Sequence, residues 1–159
     1  MMNKRILLYI SFFLLSGMLF SCENYKDCNS PVQTSLGIGF YQIVRGVQQD
    51  STLPALTLYG IGRADSLLAD SIASSRVYIP LNLHADTSAF FIQPDSSSAG
   101  GDTITVKYKR SLQFVSSGCG FTTFYHIDTA FTTYHYIDSL AIPTNKIVTT
   151  NAINLQIYY

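Results

Sequence analysis

Along most of this chain, apolar residues alternate with small or polar ones in short runs. Leu36, Ile38 and Phe40 alternate with Gly37, Gly39 and Tyr41, a period of two that predicts a strand. Two glycines on one face predict a bulge or the close approach of another backbone. Residues 46–54 read as a polar connection. Ala55–Ile61 predicts the next strand, with Leu56 and Leu58 facing one way and Thr57, Tyr59 and Ile61 the other. Residues 62–75 fit either one helical turn, at Asp65–Asp70, or a short strand. Val77, Ile79, Leu81 and Leu83 then alternate with Tyr78, Pro80 and Asn82. Pro80 has no N–H to give a neighbour, which puts that strand at an edge. Ala89–Gln93 predicts a short aromatic strand, and residues 94–101 a turn-rich loop. The cleanest alternation sets Ile104, Val106 and Tyr108 against Thr105, Lys107 and Lys109, a sheet with one wet face. Leu112–Ser116 continues after a tight turn. Phe121–Ile127, Phe131–Ile142 and the Ile153, Leu155, Ile157, Tyr159 face complete the strands. No segment keeps a 3.6-residue period for three turns. Short strands at roughly ten-residue spacing predict an all-β fold: an antiparallel β-sandwich of about eight or nine strands, with a small β-barrel as the alternative.

The first residues break this alternation. An apolar run, Ile6–Phe20, follows Lys4 and Arg5 and ends at Ser21-Cys22. It is shorter than the ~20 residues a spanning helix needs. A buried N-terminal helix is the competing reading. Cationic head, apolar middle and small residue before a cysteine resemble a bacterial lipoprotein signal peptide. That resemblance implies cleavage before Cys22 and acylation of its thiol. Phe20 departs from the pattern, where a smaller residue is usual. Residues 1–21 are then the signal peptide, 22–32 a tether, and 33–159 a single β-sandwich domain. The partner so implied is a membrane, met through N-terminal lipid such as palmitate.

Charge and composition narrow the picture. Residues 22–159 carry eight basic side chains against ten acidic ones, which is no footprint for nucleic acid. Trp is absent, while 11 Tyr and 10 Phe suit strands. With Cys22 assigned to lipid, Cys28 and Cys119 remain. A compartment outside the cytoplasm permits a disulfide between them, closing a loop of about 90 residues. Two free buried thiols are the other reading. Neither cysteine has a neighbouring base or positive field in the sequence that would activate it.

Candidate chemistry is sparse. Residues 121–128 (FTTFYHID) are echoed by residues 131–138 (FTTYHYID). A turn at Thr129-Ala130 would fold the two copies into a hairpin, with His126 and His135 diagonal on one face, ~7–8 Å apart. Asp128 beside them would make a metal site conceivable, but further ligands are missing. Two polar aromatics on an exposed face are the plainer reading. His84 and Asp86 form a lone pair without a nucleophile. Glu23 is the single glutamate, so a paired-carboxylate glycosidase would depend on aspartates. Asp95–Asp102 could wrap calcium only with poor serine ligands. There is no Gly-x-Ser-x-Gly elbow, phosphate loop or His-Glu-x-x-His. The sequence thus assigns no catalytic residue, no metal and no cofactor.

Several short motifs carry a resemblance: Cys28 after the tether, residues 58–62 (LYGIG) running into residues 65–68 (DSLL), residues 79–82 (IPLN), and Val115-Ser116 before Cys119-Gly120-Phe121. In these the chain resembles a family of Bacteroidota lipoproteins of unknown function. The resemblance implies an envelope location, a β-fold and a Cys28–Cys119 pair. It also colours the aspartates, eight of nine of which precede Ser or Thr. Turn chemistry accounts for part of that pattern. Envelope proteins of that group are O-glycosylated at Asp-Ser/Thr followed by an apolar residue or Thr, which marks Ser51, Ser66, Ser71, Thr103, Thr129 and Ser139. Glu23, Asn24 and Tyr25 lack the acidic cluster that accompanies surface export, which favours the periplasmic side of the outer membrane. The expected role is a non-enzymatic structural or protein-interaction module on the envelope. The alternative is a ligand- or glycan-binding module using tyrosine-rich faces.

Overall fold

The computed structural model describes Cys28 and residues 33–63, 65, 67–95 and 100–159. Cys22, most of the tether and Ser66 lie outside the described residues. Within them the chain is all β, eleven strands in two sheets. No helix among the described residues is long and apolar enough to cross a membrane.

The first sheet is built on β1 (Leu36–Val44). Its alternation works as the sequence requires: Leu36, Ile38 and Phe40 are fully buried on the inner face. Gly37 and Gly39 face the other way. A Cβ at Gly37 would overlap the carbonyl oxygen of Ala152, and one at Gly39 would press into the Tyr41 ring. That is the close backbone approach which two glycines in a strand foretell. Along one edge β1 pairs with β5 (Arg76–Ile79) at its start and with β2 (Val47–Asp50) at its end. Strand β5 stops at Ile79, just before Pro80, and pairs with β1 alone.

On its other edge β1 pairs in parallel with β11 (Leu155–Tyr158), Ile38 beside Leu155 and Tyr41 beside Tyr158. This corrects the all-antiparallel expectation. Hairpin geometry dictates antiparallel pairing only between strands that follow one another closely. β1 and β11 have nearly the whole domain between them, so neither direction is imposed. β9 (Ser139–Ala141) closes this five-stranded sheet against β11.

The second sheet has the order β10-β8-β7-β6-β3-β4. Its members are β3 (Leu53–Gly60), β4 (Leu67–Ser74), β6 (Thr87–Gln93), β7 (Asp102–Ser116), β8 (Gly120–Phe131) and β10 (Lys146–Ile147). Leu56 and Leu58 of β3, Ile92 of β6, Ile104 and Val106 of β7 and Ile127 of β8 meet the inner face of the first sheet in one core. Each such side chain contributes roughly 1.5–3 kcal/mol by leaving water. Neither sheet closes on itself, so the architecture is a sandwich and not a barrel.

Two sequence expectations fail in β7 and β8. No tight turn interrupts β7 near residue 110; Lys109, Arg110 and Ser111 stay paired with His126, Tyr125 and Phe124. No hairpin forms at Thr129-Ala130 either, because β8 runs on to Phe131. Its irregularity is a bulge at Asp128, which lies between Ile127, opposite Tyr108, and Thr129, opposite Lys107. A bulge absorbs one extra residue and bends the strand without reversing it. The second FTTYHYID copy leaves the sheet after Phe131 and crosses to β9 in the other sheet.

Candidate functional site

That crossover is held by one carboxylate. Asp102 opens β7 in phase with Ile104, Val106 and Tyr108, so alternation turns it inward, and it is only 1% exposed. A buried charge must be paired or hydrogen-bonded. Thr133 Oγ1 donates to Asp102 Oδ1 at 2.6 Å, and the His135 amide donates to the same oxygen at 2.7 Å. The amides of Tyr136 and Ile137 donate to Oδ2 at 2.8 and 3.0 Å. Burial alone would raise this carboxyl's pKa. The Thr133 hydroxyl and the three amides outweigh burial and hold it at about 2.

His135 Nδ1 lies 3.1 Å from Asp102 Oδ1 and 3.2 Å from Thr133 Oγ1. A hydroxyl, an imidazole and a carboxylate serve nucleophilic catalysis when the acid sits on one ring nitrogen and the hydroxyl on the other. Here both meet Nδ1, and the hydroxyl is already bound to the carboxylate. The cluster is therefore a latch that ties the 132–138 crossover to β7. Sequence reading missed it, although an Asp in phase with the core of the cleanest strand was the available signal.

The second feature is an arm. β6 pairs with β7 only as far as Lys107, and β10 meets β8 only at Tyr125 and His126. Beyond those points, among the strands of the described residues, β7 and β8 pair with each other, through Ser116 opposite Gly120. Leu112, Phe114 and Phe121 stay 68%, 60% and 64% exposed there. The Phe114 and Phe121 rings pair across the strands with centroids 5.3 Å apart. At the tip, Cys119 is joined by a disulfide to Cys28. Thr34, just before β1, donates its hydroxyl to the Thr123 carbonyl at 2.7 Å, which sets Thr34 beside the arm.

The remaining candidates are scattered. His126 on β8 is half exposed, with Nδ1 3.8 Å from Asp128 Oδ1, and it shares no partner with His135. The proposed diagonal pair is thus undone by the missing hairpin. Asp86 accepts from Arg110 Nε at 2.8 Å, and the His84 amide donates to Asn82 Oδ1. Among the sequence-marked hydroxyls, Ser51 is half-buried and accepts from Tyr159 Oη at 2.7 Å. Ser71 is exposed at an irregular step of β4, with φ of 48°. Thr103 is half-buried, Ser139 is exposed in β9, and Thr129 is exposed within β8 rather than at a hairpin tip.

The fold and site define a disulfide-tied β-sandwich with a protruding two-stranded arm. Among the described residues no three His, Cys, Asp or Glu side chains are grouped to hold a metal ion. A family model matches residues 55–159, and the chain belongs to that family of unknown function, DUF6452. The match begins within β3, at residue 55, and takes in β4 to β11 and Cys119; β1, β2 and Cys28 precede it. No curated protein and no solved structure matches the chain.

Proposed function

We propose that this chain is an envelope lipoprotein, anchored through acylated Cys22, whose sandwich acts by contact with other molecules and not by catalysis. The division of its three cysteines carries the reading. Cys28 and Cys119 are joined, and the third ends the apolar run behind Lys4 and Arg5. A structural disulfide belongs to an oxidising compartment, the destination that an export signal serves. The non-catalytic half of the reading draws support from the latch, where the Asp102 oxygens are committed to holding a crossover. The absence of an acidic cluster after Cys22 supports the periplasmic face of the outer membrane.

Cys22→Ala tests the anchor. The variant should take up no labelled palmitate and should persist as uncleaved precursor or appear in the soluble fraction. A variant that stays in the membrane as mature, acylated protein contradicts the reading.

Sugar on the Asp-Ser/Thr sites belongs to the same proposal. Glycosylation needs an accessible hydroxyl, and Ser71 meets that need better than half-buried Ser51 or Thr103. Protein from its native host should show hexose-sized mass additions that diminish in Ser71→Ala. A mass equal to the bare acylated chain would leave turn chemistry as the whole explanation of the aspartate pattern.

A further inference from the structure

We infer that the β7–β8 arm is a membrane-contacting element, its Leu112, Phe114 and Phe121 face seated in the lipid surface that holds the Cys22 acyl chains. The inference rests on the lipid-anchor reading and adds to it where on the sandwich the bilayer lies. Cys28 follows Cys22 by six residues. Six residues fully extended reach about 20 Å at most. Cys28 is bonded to Cys119 at the arm's tip. The disulfide therefore transfers the tether's reach from the chain terminus to the arm, and the tip stays within that distance of the acylated residue. Without the bridge, the covalent path from the anchor to the sandwich would run through β1.

The surface brought there is the right kind. Tyr108 is buried at the root of the arm. Alternation carries its face on through Arg110, Leu112 and Phe114, and the register places Phe121 opposite Phe114. None of the described residues covers the three apolar side chains, which remain more than half exposed. Phe and Leu on one face of an element are what an interfacial segment buries into the headgroup boundary. The cations at the arm's root are already engaged: Arg110 with Asp86, Lys109 with Asp128 at 3.9 Å, and Lys107 over the Phe131 ring. Contact of this kind is apolar in origin, so it is insensitive to ionic strength and needs no anionic lipid.

The chain has no tryptophan, so one introduced indole reports its own surroundings. Phe121→Trp is placed in the full lipidated protein, reconstituted in phosphatidylcholine vesicles with or without brominated acyl chains. Val47→Trp is the control, an exposed apolar site beyond the far end of β1 from Thr34 and the arm. The Phe121→Trp indole should lose roughly half of its emission or more to brominated lipid, since interfacial side chains sit ~5–10 Å into the boundary. That loss should be the same at low and high salt, and the Val47→Trp indole should be unaffected. Protein that floats with the vesicles while its Phe121→Trp emission is unquenched leaves the anchor standing and overturns the arm contact. Equal quenching at both sites, or a blue-shifted but unquenched arm indole covered by protein, also overturns it. Protein purified from the host envelope whose Cys22 carries no lipid overturns both the anchor and the inference built on it.

Discussion

Asp102→Ala is expected to lower unfolding stability by about 3–5 kcal/mol, a loss large enough to unfold a marginal domain. The substitution removes little apolar contact. Its cost is that the amides of His135, Tyr136 and Ile137 lose their acceptor while the crossover still has to pass from β8 to β9. Stranded donors cost more than the net worth of the bonds they made. Asp102→Asn should cost less, because one oxygen still accepts, although its NH2 group now faces amides. Urea unfolding with the disulfide intact measures both. An alanine variant within 1 kcal/mol of the parent would mean that the crossover is held by something else.

The same carboxylate gives a pH dependence whose sign is fixed. Its folded value of about 2 lies below the ordinary 3.8. Folding therefore favours the ionised form, and the contribution is fully present above pH ~4. It is lost as the pH falls through the folded value, and amounts to about 2 kcal/mol. Stability should decline between pH ~4 and ~2, and Asp102→Asn should flatten the decline over that window.

The second large effect is expected from the disulfide. Its cysteines are 91 residues apart, and on the chain-entropy model a closed loop of that size is worth ~4–5 kcal/mol. Part of that gain is offset, because Cys28 precedes β1 and its release frees only a short segment of the folded chain. Reduction, or the Cys28→Ser/Cys119→Ser pair, should then cost about 2–4 kcal/mol. The urea midpoint of the reduced protein measures it, and an unmoved midpoint would contradict the estimate. Peptide mapping without reductant should recover residues 28 and 119 in one crosslinked pair.

Much of the sandwich is legible in the chain because one face of each central strand is buried and the other is not. Leu36, Ile38 and Phe40, then Leu56 and Leu58, then Ile104, Val106 and Tyr108 keep period two, and all are buried. The pattern fails where burial does not discriminate. β2 is exposed at every position, so Val47–Asp50 has no alternation to read. Its turn is equally silent: Arg45 and Gly46 both take positive φ, as a tight hairpin requires, yet Arg-Gly is not the Asn-Gly signature. β4 buries only Ala69 and is irregular in register, which is why residues 62–75 read ambiguously.

Long-range choices are hidden for a different reason. The parallel β1–β11 pair and the route taken by the second FTTYHYID copy depend on partners far off in sequence. The repeat suggests a hairpin because local turn chemistry is all that a single chain displays. What decides the outcome is Asp102, some 30 residues earlier. The cysteine pair, by contrast, is legible from the count, once the cysteine behind the apolar run is set aside.

The state of Cys22 on the mature protein tests the account most directly. Trypsin cutting after Lys26 would release residues 22–26 as a short N-terminal peptide. In protein extracted from the host envelope, mass spectrometry of that peptide should find Cys22 as the first residue, carrying the acyl lipid. An unmodified peptide, or a mature chain that begins at any other residue, would contradict the lipid anchor.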